Sequence, residues 1–150
     1  MSRALATILI TAALSIGTVS RASAADHPNF TGTWLLDTAK STAMAPSTDA
    51  ATVVIKHNDP LLRVSSTVTP EIKDDRTYQT DGVERSIDVM GVSVKVRARW
   101  EGAKLMTRAV GAGATTEETW QLLDGGKTLS IERKVSGMVS GTGHYVYRKR

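Results

Sequence analysis

The sequence predicts an all-β domain: a single antiparallel up-and-down β-barrel of about 8–10 strands. Three observations lead there. Short runs of alternating polar and apolar residues are separated by turn signals roughly every 8–12 residues. Candidate hairpins, each read on its own, put their apolar side chains on one shared face. A meander of that length would leave two open edges, and closing it into a barrel removes them.

The first residues read as an address. Arg3 gives a short basic start, Ala4 to Val19 is an apolar run, and Ala22-Ser23-Ala24 is the small-x-small pattern at which a signal peptide is cut. A spanning helix needs about 20 apolar residues, so the run is short for a membrane anchor. The expected organisation is therefore a cleaved signal over residues 1–24 and one domain over residues 25–150, with the mature chain beginning near Asp26. That places the product in the periplasm or outside the cell. Without Cys, the domain must rely on packing rather than disulfides. Removing Arg3 and Arg21 leaves 17 Lys+Arg against 15 Asp+Glu, too even a balance for a nucleic-acid footprint.

The expected strands are Phe30–Leu36, Thr52–His57, Leu61–Thr69, Arg76–Thr80, Val83–Val89, Val92–Trp100, Lys104–Val110, Thr115–Leu123, Thr128–Val135 and His144–Arg148. The stretch from Asp37 to Ala51 is irregular and has room for one helical turn or a lid. Loop length fixes register, and register fixes faces. A two-residue turn at Gly102-Ala103 pairs Trp100 with Leu105, Ala98 with Thr107 and Val96 with Ala109. The next loop pairs Val110 with Thr115, hence Leu105 with Trp120 and Arg108 with Glu117. A Gly125-Gly126 turn sets Trp120 opposite Ile131 and Glu117 opposite Lys134. Upstream, a turn at Met90-Gly91 pairs Ile87 with Val94 and Glu84 with Arg97, and one at Asp81-Gly82 pairs Tyr78 with Arg85. The inner wall is then Val92, Val94, Val96, Leu105, Trp120 and Ile131, while Lys95, Arg97, Arg99 and Arg108 face out. Those outer cations exclude an outer-membrane barrel, since Arg or Lys facing lipid costs about 2–4 kcal/mol at the midplane.

Asn29-Phe30-Thr31-Gly32-Thr33-Trp34 opens the first strand with Gly-x-Trp. This resembles the lipocalin-like (calycin) small barrels, in which that Trp plugs one end. Phe30 to Ser41, Asp59 to Leu62 and Trp120 to Leu129 resemble more narrowly an uncharacterised group of secreted bacterial lipocalin-like proteins. The Thr-Asp-Tyr signature of lipocalins is not found. The intracellular fatty-acid-binding proteins have a similar opening and ten strands, and close with an Arg-x-Tyr that holds a ligand carboxylate. Here Tyr145 stands where their Arg would be, followed by Val146 and Tyr147.

The expected site is the barrel interior. By the register, Arg76, Tyr78, Arg85, Glu118 and Arg133 point inward, as do Tyr145 and Tyr147, and Trp100 and Trp120 brace the wall. Two alternatives stand: the charges line a cavity, where Arg76, Arg85 and Arg133 outnumber Glu118 and favour an anionic guest, or they only ring a solvated mouth. The functional expectation is an exported barrel that binds or carries a small hydrophobic or anionic amphipathic molecule. Its rival is a secreted interaction module, an inhibitor-like calycin barrel acting through loops such as 136–141. No catalytic group, metal site or cofactor is expected. His27, His57 and His144 lack ligand spacing and suit surface or cap positions, and neither Asp74-Asp75 nor Glu117-Glu118 makes a carboxylate dyad, because neighbours on a strand face opposite ways.

Overall fold

In the computed structural model, residues 27–44, 50–89 and 91–150 are described; the stretch expected to be a signal and half of the Met90-Gly91 turn lie outside them. Ten strands follow one another: β1 (Gly32–Leu36), β2 (Thr52–Asn58), β3 (Leu61–Thr67), β4 (Lys73–Gln79), β5 (Arg85–Val89), β6 (Val92–Glu101), β7 (Lys104–Gly111), β8 (Ala114–Leu123), β9 (Thr128–Gly137) and β10 (Gly141–Lys149). They form one antiparallel sheet in the order β4-β3-β2-β1-β10-β9-β8-β7-β6-β5. Sequence neighbours are sheet neighbours except at β4–β5, and the one pairing between strands distant in sequence, β1–β10, curls the meander into a nearly closed barrel.

Four of the five expected hairpin registers hold. Trp100 faces Leu105 and Val96 faces Ala109, Leu105 faces Trp120 and Arg108 faces Glu117, Trp120 faces Ile131 and Glu117 faces Lys134, and Ile87 faces Val94. Backbone chemistry explains why these turns were readable. Gly102 takes φ +59°, which a two-residue hairpin turn demands and a β-carbon resists. Gly137 at φ +125° is needed for space as well, because a β-carbon there would fall 2.4 Å from the Gly113 carbonyl oxygen. Residues 124–126 form one 3-10 turn rather than a simple Gly-Gly turn, and the flanking Leu123–Thr128 pairing is kept.

The fifth hairpin is a correction. Tyr78 does not pair with Arg85, because β4 and β5 share no ladder and are the two ends of the sheet. The connection instead leans on β6: Asp81 bridges Arg99, and the Gly82 amide donates to the Ala98 carbonyl at 2.8 Å. Arg85 pairs with Val96, and the Glu84–Arg97 pairing is lost because β5 begins only at Arg85. The result is a seam between β4 and β5, bridged below and unzipped above. In the Asp37–Ala51 stretch residues 38–40 form a turn, after which Thr42 exchanges backbone hydrogen bonds with His144; residues 45–49, where a helical turn or lid was also expected, lie outside the described residues.

The core fills the end where Gly-x-Trp lies. Phe30, Trp34, Leu62, Leu105 and Leu129 are fully buried, and Ile55 and Ala98 nearly so. Trp34 directs its indole N–H to the Phe30 carbonyl at 3.0 Å, satisfying the one polar atom that the ring would otherwise bury unpaired. Its ring is the plug the sequence led one to expect. Val92, expected on the inner wall, is 45% exposed at the rim. Truncating the plug should cost most: Trp34→Ala is expected to destabilise by about 3–5 kcal/mol in urea unfolding followed by far-UV circular dichroism.

Candidate functional site

Above the packed end, the interior becomes polar. Glu118 on β8 is buried at 6% exposure, and its carboxylate collects three donors. Arg133 on β9, directly opposite in the ladder, donates from Nε at 2.7 Å. Trp120 donates its indole N–H at 2.9 Å, and Thr107 donates at 3.4 Å. All four point inward because they sit on the same pleat phase of β7, β8 and β9. The Arg133 guanidinium also lies over the Tyr145 ring, 4.7 Å from its centroid. A β-carbon on Gly143 would fall 2.7 Å from the Tyr145 hydroxyl oxygen, so that glycine is what leaves the Tyr145 ring its place.

The facing wall is β4. Its inward phase carries Asp74, Arg76 and Tyr78, with Arg76 bonded to Asp74 through Nε. Asp74 was missed because the expected strand began at Arg76; starting the alternation at Lys73 would have put Asp74 on the inner face with it. Between the walls lies a cavity of about 120 Å³, lined by Arg76, Tyr78, Glu118 and Arg133 on its polar side and by Val53, Val64 and Ile131 on its apolar side. Trp120 and Tyr147 also line it.

Three of the expected site residues do not line this cavity: Tyr145 lies against the Arg133 guanidinium, and Arg85 and Trp100 lie elsewhere. Arg85 is swung out at the seam, clamped by two 2.7 Å bonds to Asp81; its hydrogen bonds, with that of the Val83 amide, bring the Asp81 carboxyl down to about 2. Trp100 belongs to the closed end, stacked with His27 at 4.3 Å and Phe30 at 5.7 Å between centroids, its N–H on Asp59 at 3.0 Å. With Arg85 outside and Asp74 inside, two guanidiniums face two carboxylates. The cationic excess expected from the sequence is therefore absent from the cavity.

His57 is also a correction, since it is buried rather than a surface cap. Its Nδ1 accepts the Phe30 amide at 3.2 Å, so the neutral ring carries its proton on Nε2, which lies 3.5 Å from Asp59 and has no hydrogen-bond partner. Among the described residues no group of three His, Cys, Asp or Glu is placed to hold a metal.

Burial pushes the Glu118 carboxyl up, but the Arg133 charge, then the Trp120 and Arg133 hydrogen bonds, outweigh it and hold the group below its ordinary value. Burial likewise raises the Tyr78 hydroxyl, and the Glu118 charge raises it further, so Tyr78 is a neutral hydroxyl at neutral pH.

This geometry defines a class: the chain is a lipocalin-like (calycin) barrel in fold. No protein-family model matches the sequence, and no curated protein matches it. Solved structures do match. Human cRBP IV, a cellular retinol-binding protein, superposes with a TM-score of 0.61 at 15% identity, over 82% of this chain and 99% of that one. At that identity the likeness establishes the fold.

A group whose folded value is depressed stabilises above its unfolded value, and that stability is lost as pH falls through the folded one. Glu118→Gln should therefore lose about 3 kcal/mol at pH 7, since it leaves Arg133 without its counter-charge. It should also flatten the acid limb of stability below pH 4.5, the ordinary carboxyl value. Chemical unfolding at pH 7, 5 and 3 checks both.

Proposed function

We propose that this barrel binds a small amphipathic molecule in its interior, in the periplasm or outside the cell. The observation that carries the proposal is the two-sided cavity: an apolar wall of Val53, Val64 and Ile131 faces Arg76, Tyr78 and the Glu118–Arg133 pair. A guest lying across it would set its chain on the valines and its head against the guanidiniums, which present fixed donors for an oxygen-rich group. A retinol-binding neighbour of the same fold supports small-molecule binding in general. The small-x-small pattern before Asp26 supports export.

Size narrows the guest. Sites for drug-sized molecules usually have about 300–1,000 Å³, well above the 120 Å³ here. The guest is therefore compact, and the balanced charges of the cavity favour a polar or zwitterionic head over a strongly anionic one.

Filling the cavity at its mouth tests the proposal. Ser66 lines it from β3 and is half-buried. Binding of short-chain amphiphiles, followed by tryptophan fluorescence, should weaken at least tenfold in Ser66→Phe and stay unchanged in Arg85→Ala, whose side chain is outside. Equal binding by Ser66→Phe would refute an interior site.

A second reading has its own observation. The β9–β10 turn exposes Met138 at 87% and Val139 at 61%, an apolar tip of the kind used against a protein partner. Under that reading, Met138→Ser with Val139→Ser would abolish partner capture while leaving amphiphile binding intact.

A further inference from the structure

The outside of the barrel carries a hollow of its own. A trough of about 800 Å³ crosses the outer face of β6 to β10, reaching from Arg97, Arg99 and Arg108 past Met106 and Thr119 to His144. The ladder registers order its floor. One cross-strand row runs Arg97–Arg108–Glu117–Lys134–Thr142, and the next runs Arg99–Met106–Thr119–Glu132–His144.

Where charged residues face each other across β6 to β9 on this face, the signs oppose with one exception, and on β2 and β3 Lys56 likewise faces Arg63. Glu101 faces Lys104, Arg108 faces Glu117, and Glu117 faces Lys134, so opposite signs oppose each other across strands. Arg97 faces Arg108 instead. Side chains directly opposite in antiparallel strands have Cβ atoms about 4.5–5.5 Å apart, where like charges destabilise. The acid that simple hairpin register would give Arg97 is Glu84, but Glu84 lies beyond the end of β5 and its carboxylate is 4.0 Å from Lys95. Among the described residues Arg97 has no ion pair, and Arg108 meets Glu117 only at 3.6 Å, too far for a hydrogen bond. Arg99, two residues along the same face, is held by Glu101.

We propose that Arg97 and Arg108 together bind a tetrahedral oxyanion, a phosphate or sulfate ester, whose parent molecule lies along the trough. Facing each other in the ladder, the two guanidiniums offer paired donors to different oxygens of one anion, which supplies the counter-charge that Arg97 lacks and that Glu117 gives Arg108 only at 3.6 Å. Thr119, Thr142 and His144 line the continuation with hydroxyl and imidazole groups suited to a polar remainder. Such an ester occurs in soluble metabolites and in lipid headgroups, and the two sources share the recognition chemistry.

The test uses inorganic pyrophosphate as the soluble probe, titrated into ¹⁵N-labelled protein. The expected result is saturable shifts at Arg97, Arg108 and Thr119, weakening steeply with salt. Binding should fall at least tenfold in Arg97→Gln and in Arg108→Gln. A merely structural role predicts lower stability on substitution; relief of a like-charge pair predicts an unchanged or higher Tm for Arg97→Gln. In parallel, co-sedimentation with phosphatidylglycerol vesicles, against phosphatidylcholine alone, identifies a lipid source if it depends on the same two arginines. Pyrophosphate and vesicle binding that both survive the substitutions, or binding of neither probe, would overturn the proposal. The trough and the cavity share only Arg133 among their lining residues and Ser66 lines the cavity alone, so Ser66→Phe should leave this binding unchanged, and failure of one site does not decide the other.

Discussion

A carboxylate taken out of bulk solvent must be given donors, and Glu118, buried at 6% exposure, sets that demand inside this barrel. Its partners come from three consecutive strands: Thr107 on β7, Trp120 beside it on β8, and Arg133 on β9. Neither cross-strand bond, to Thr107 or to Arg133, survives a one-residue slip, because a slip sends every side chain of a strand to the other face. The pair is thus a poor source of net stability and a strict check on register. Charged pairs of this kind often do no better energetically than apolar residues of the same volume. What Glu118 does here is make one alignment of β7, β8 and β9 much better than its neighbours.

That same strictness explains what could be read in the sequence. Short glycine turns at Gly102 and Gly113 tie adjacent strands so closely that each hairpin dictates its own pairing, and the inner positions of β6 to β9 follow. Local information fails where the neighbours in space are not joined by a tight turn. Tyr78 and Arg85 are separated by a turn-like Asp81-Gly82, but the competing partner for that segment is Ala98 on β6, far away in sequence. Asp74 was lost to a misjudged strand start. The alternation of β2 does put His57 on the inner face with Val53 and Ile55, but the rings that cover it, Phe30 and Trp100, arrive from distant segments that the strand itself does not report. The two hollows were likewise invisible, since the volume left between side chains is a property of the assembled barrel.

Interior and exterior solve the same electrostatic problem in different ways. Inside, Asp74–Arg76 and Glu118–Arg133 are closed pairs, with little charge left over for a guest. Outside, solvent screens the charges, so an unmatched pair such as Arg97 and Arg108 is tolerable in a folded protein. Fold alone does not say which hollow is used; an interior site is an expectation carried by the architecture, whereas the trough is particular to these side chains.

The unzipped seam has a consequence for how the chain reaches this shape. Because β4 and β5 are the ends of the sheet yet adjacent in sequence, the polypeptide divides there into two meanders, β1–β4 and β5–β10. Every ladder within each is a neighbour-to-neighbour pairing, closed by a short connection except at β1–β2, where residues 37–51 intervene. One ladder, Trp34 to Leu36 against Tyr147 to Lys149, spans more than a hundred residues. The high-contact-order step that slows all-β proteins is thereby concentrated in a single docking event. Two locally assembled ribbons meet along β1 and β10, with Trp34 arriving in the core at that moment.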